Sequence, residues 1–64
     1  MAQLMLIAET DETHRIVALW QAGGGLRSPR AITAAQARAL LDRAQIEGAS
    51  RAAVEDWIAS QLAR

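Results

Sequence analysis

Sixty-four residues allow one small domain and no second core. With no cysteine and one histidine, the chain can supply neither a disulfide nor a thiolate or multi-histidine metal site. Its seven basic residues, all arginine, balance seven carboxylates, which leaves no overall field to attract nucleic acid or an anionic membrane.

Chains below about 70–80 residues usually reinforce a small core with a disulfide, a metal or a second subunit. The first two being excluded, self-association, most simply a homodimer, or a partner is the expected supplement. The apolar run Leu4–Ala8 is short and lacks the basic start of a signal peptide, and nothing approaches the roughly 20 apolar residues of a membrane span. The expectation is a cytoplasmic protein with no membrane contact.

Residues 3–9 and 14–21 are two apolar runs on either side of the polar break Thr10-Asp11-Glu12-Thr13. That arrangement predicts a β-hairpin, and Ile16, Val17 and Trp20 favour strand. A helix from Glu12 to Ala22 competes: Asp11 can cap it, Ile16, Leu19 and Trp20 share a helical face, and Gly23 can end it. Gly23-Gly24-Gly25 breaks either element. Leu26–Arg30 continues as an irregular arm, with a short edge strand near Ala31-Ile32.

Thr33 and Gln36 form a Thr-x-x-Gln capping box, with Ile32 at the staple position. Ala37, Leu40, Leu41 and Ala44 then follow helical spacing, which predicts a helix from Ala34 to Glu47 that Gly48 stops. Ser50 caps a second helix carrying Val54, Trp57, Ile58 and Leu62 on one stripe. The predicted fold class is α+β: a single domain over 1–64, with a β-hairpin in 1–22, a Gly/Arg arm in 23–31 and a two-helix hairpin in 33–64. The alternative is a three-helix domain with a short N-terminal strand.

The segment 44–58 resembles the helix-turn-helix core of DNA-binding regulators, with Ala44, Gly48, Ser50-Arg51, Val54 and Trp57 at the places of the small residue, the turn, the opening of the recognition helix and its apolar anchors. It is also similar to the helix pair of ribbon-helix-helix regulators, which are dimers with Gly-x-Ser-Arg at this turn. Either resemblance implies DNA contact through Arg51, and the arm adds Arg27 and Arg30. The segment departs from the pattern at Glu47, where an apolar residue usually packs, and at Glu55 and Asp56, two carboxylates on the recognition helix.

No nucleophile–base set, cofactor motif or metal-ligand spacing is present, so catalysis, cofactors and metals are not expected. Of the two tryptophans, Trp57 falls on the helical stripe and is assigned to the core. Trp20, beside Gln21 and the glycines, is assigned to an interface, together with Leu4 and Leu6 of the first apolar run. The leading expectation is a non-catalytic protein-interaction module: a small adaptor, inhibitor or antitoxin-like regulator that docks on a larger protein. The alternative is a DNA-binding transcriptional regulator using residues 44–58.

Overall fold

A computed structural model describes residues 3–64. The elements follow in the order β1 (Met5–Thr10), β2 (Ile16–Ala22), β3 (Arg30–Ile32), α1 (Ala34–Leu40), β4 (Gln45–Glu47) and α2 (Arg51–Leu62). The strands form one sheet in the order β3-β2-β1-β4, antiparallel except for the β1/β4 pair. Both helices lie on one side of it, and the fold class is α+β.

The two N-terminal apolar runs pair as the hairpin β1/β2, with Ile7 opposite Trp20 and Ala8 opposite Leu19. The competing helix over 12–22 does not form. Its first turn is occupied by the hairpin connection, where Asp11 organises the chain. The Asp11 Oδ1 accepts hydrogen bonds from the Thr13 amide (2.9 Å), the Thr13 hydroxyl (2.7 Å) and the Arg15 amide (3.0 Å). The His14 amide donates to the Asp11 carbonyl at 3.0 Å, and the Asp11 amide to the Arg15 carbonyl at 2.9 Å. His14 closes the turn at φ +65°, a left-handed position that hairpins usually give to glycine. Between Glu9 and Thr10 the register slips, and the pairing skips Val17, which is 52% exposed.

Thr33 caps α1 as its capping box requires: its hydroxyl accepts from the Gln36 amide at 3.1 Å, and the Gln36 carboxamide accepts from the Thr33 amide at 3.0 Å. The helix is half as long as its sequence predicts. It ends at Leu40, the chain turns through 41–43, and Gln45–Glu47, expected to be its last turn, becomes β4. The predicted two-helix hairpin is therefore split by a strand. The physical reason lies in the sheet. The free edge of β1 offers its backbone groups, the Gln45 amide donates to the Leu4 carbonyl at 3.0 Å, and Ile46 comes opposite Leu6 on the core side. Sheet pairing and burial of Ile46 outweigh the small helical preference of this stretch.

Gly48 follows β4 for a related reason. It sits at φ +88°, and a Cβ placed on it would lie 2.5 Å from the Ala8 carbonyl oxygen. This glycine lets the end of β4 close against β1; it does not stop a helix. Because β3 and β1 run the same way, β3-α1-β4 is a crossover that carries the chain from one sheet edge to the other over the core face.

The core lies between that face and the helices. Leu6, Ala8, Leu19 and Ile32 from the sheet meet Ala34, Ala37 and Leu41 of the α1 region and Val54 and Ile58 of α2. Ala34 and Ala37 allow α1 to approach closely. Leu6, Leu19 and Val54 are fully buried, each contributing about 1.5–3 kcal/mol. Ser50 caps α2 through the Ala53 amide at 3.1 Å, and Trp57 packs half-buried against the core.

Candidate interaction surface

Side chains alternate across a strand, so the pairing that points Leu6, Ala8 and Leu19 into the core turns Met5, Ile7 and Glu9 of β1 and Ala18, Trp20 and Ala22 of β2 to the opposite face. Register adds Ala31 of β3 beside Trp20, and Gln45 and Glu47 of β4 beside Met5 and Ile7. Met5, Ile7, Trp20 and Ala22 stand outside the core cluster, and the buried residues of both helices pack on the other side. Among the described residues, then, one side of the sheet is uncovered and its centre is apolar.

Trp20 occupies the middle of this face. Its neighbours two residues along β2 are Ala18 and Ala22, and Ala31 is its partner on β3. All three neighbours are small, so the half-buried indole is the largest side chain on its part of the face. Ile7 supports its β1 side, and its Nε1 donates to the Glu9 Oε1 at 2.9 Å. That bond satisfies the indole donor and fixes a carboxylate beside the apolar floor.

The three residues assigned to an interface separate here. Trp20 is on the open face. Leu6 is 0% exposed in the core and cannot contact a partner, because its position on β1 faces the helices. Leu4 shares the parity of Leu6, is half-buried, and lies against Gly24. Met5 and Ile7, rather than Leu4 and Leu6, are the apolar residues of this run that share the face of Trp20. The period-2 pattern Leu6/Ala8 against Met5/Ile7 marks two faces in the sequence, but only pairing with β2 shows which one is covered.

The arginines also divide. Arg27 and Arg30 are exposed in the β2–β3 connection and at the start of β3, at one edge of the sheet. Arg51 is reached from β4, at the other edge. Its guanidinium is engaged by Asp42 (Nη2 to Oδ1, 3.0 Å), Glu55 (Nε to Oε2, 3.3 Å) and the Leu41 carbonyl (Nη1, 3.4 Å). In the helix-turn-helix resemblance Ala44 belongs to the first helix, whereas here α1 ends at Leu40 and residues 45–47 are a strand.

The hairpin connection carries a titration feature. Asp11 is held below the ordinary aspartate range, first by its hydrogen bond from the Thr13 hydroxyl, then by that from the Arg15 amide. Beside it, His14, Arg15 and Ile16 face Asp56, Trp57 and Arg64 of the α2 side across an open groove. Among the described residues no three His, Asp or Glu side chains converge as metal ligands, and no helix is long and apolar enough to cross a membrane. Comparison with protein-family models, curated proteins and solved structures gives no match to the chain.

Proposed function

We propose that this protein is a non-catalytic docking module, an adaptor, inhibitor or antitoxin-like regulator that binds a larger protein through its open sheet face. The observation that carries the reading is Trp20. A large aromatic stands at the centre of an apolar face on the side of the sheet away from both helices, with its one polar atom already satisfied by Glu9. Rigid aromatic anchors in such positions dominate protein interfaces. The neutral charge and the pairing of Arg51 with two carboxylates support a protein partner over a nucleic acid.

The test compares proteins retained from a cell extract by the immobilised wild type and by Trp20→Ala, with Arg27→Glu/Arg30→Glu as a second variant. A protein held by the wild type and the arginine variant but lost with Trp20→Ala is the expected result. Retention that ignores Trp20→Ala refutes the reading. Salt-sensitive binding of a DNA duplex that disappears in the arginine variant replaces it with the regulator reading.

A further inference from the structure

We infer that the open sheet face receives one basic amphipathic helix of the partner; this deepens the docking reading and rests on it. The shape of the face suits a helix. Along β1, with six residues, the face is about 20 Å long, and β3 and β4, three residues each, widen it to three strand spacings, about 14 Å, beside Ile7 and Trp20. A helix of about 13 residues is also ~20 Å long, and with side chains it is about 10–12 Å wide. Ala18, Ala22 and Ala31 are the small residues beside Trp20 on this face, and large apolar side chains of a helix can pack over them on either side of the indole.

Charge selects the partner further. The positions that pairing places on this face include two carboxylates, Glu9 and Glu47, and no arginine. Both flank Ile7: Glu47 is its partner on β4, and Glu9 is two residues further along β1. The acids therefore lie on the β4 and hairpin-tip side of the floor, while the β3 side is lined by alanine. A helix with an apolar stripe and Arg or Lys along the edge nearest β4 satisfies both parts. A second copy of this chain does not, since laid face to face it brings two more carboxylates to the contact and no cation.

The experiment is a selection of random peptides of about 16 residues, some 24 Å as helix, displayed on yeast against the intact protein. Enriched sequences are then measured in solution against the wild type, Trp20→Ala, Ala31→Arg and Glu9→Gln/Glu47→Gln, each first shown to be folded by circular dichroism and urea unfolding. Ala31→Arg keeps Trp20 and adds a cation at an exposed edge position. The expected winners are cationic and amphipathic at helical spacing and lose tenfold or more in affinity with Trp20→Ala and with Ala31→Arg. They lose several-fold with the double glutamine variant and weaken as salt rises.

Winners that need Trp20 but are acidic, neutral or without helical periodicity overturn the basic-helix inference and leave the docking reading standing. Winners indifferent to both Trp20→Ala and Ala31→Arg overturn the docking reading itself. A selection that enriches nothing overturns the inference, as does a concentration-dependent dimer that Trp20→Ala dissolves, which makes a second copy the occupant.

Discussion

Replacing Gly48 tests the point where this chain departs most from its own sequence pattern. As a helix stop, Gly48 would need only a left-handed backbone, and asparagine, which tolerates that region, would substitute at a cost of a few tenths of a kcal/mol. The structure demands more. At φ +88° an alanine already costs about 1–2 kcal/mol. Its Cβ would also lie 2.5 Å from the Ala8 carbonyl oxygen, a backbone atom inside β1 that cannot rotate away. Relief requires β4 to shift against β1, with a cost of the order of overpacking, about 1–3 kcal/mol. Gly48→Ala should therefore lose about 2–5 kcal/mol and Gly48→Asn, which escapes most of the backbone term, about 1–3 kcal/mol, against a whole stability for a domain this size of roughly 3–10 kcal/mol. Gly25 is the internal control. It has φ +93° with nothing within 4 Å of an added Cβ, so Gly25→Ala carries the backbone term alone, about 1–2 kcal/mol. Urea unfolding followed by tryptophan fluorescence measures all three. Equal losses for Gly48→Ala and Gly25→Ala, or a tolerated Gly48→Asn, would refute the close approach of β4 to β1.

His14→Gly relieves a left-handed non-glycine residue in the hairpin connection and should raise stability by about 0.5–1 kcal/mol, read as an increase in melting temperature; a decrease contradicts the turn. Asp11, whose folded pKa is depressed, contributes stability that is present above the ordinary aspartate pKa and lost as pH falls through the lowered folded value. Acid titration should accordingly cost the wild type more than Asp11→Asn, and parallel curves would sink the assignment. Leu6→Ala and Ile7→Ala separate the two sheet faces: the first empties a fully buried site and should cost about 2–5 kcal/mol, the second clearly less. Equal costs in urea unfolding would place Ile7 in the core.

Much of the local structure was legible because it depends on neighbouring residues. The Thr33/Gln36 capping box, the Ser50 cap, the Val54–Ile58 stripe and the two N-terminal strands each rest on short-range chemistry and appear at the expected places. The hairpin prevailed over the rival helix because the Asp11 carboxylate, a strong turn former, accepts from Thr13 and the Arg15 amide and so organises the connection. Which face each residue of the first apolar run takes was not legible: the run has two faces, and it does not say that the helices cover the one carrying Leu6 and leave the one carrying Trp20.

Residues 41–50 mark the boundary most clearly. Their helical spacing is real, yet three of them pair with β1, about 40 residues earlier in the chain. Spacing, caps and turn residues act within a few positions and are written into the sequence directly, whereas strand pairing across the chain and the covered face of a sheet depend on which distant edge is free once the rest has folded. For that reason the hairpin, the caps and the α+β class follow from residue order alone. The conversion of Gln45–Glu47 to a strand, the burial of Leu6 and the placing of half-buried Ile7 beside Trp20 on the face away from the helices arise only when the edge of β1 and the two helices meet in three dimensions.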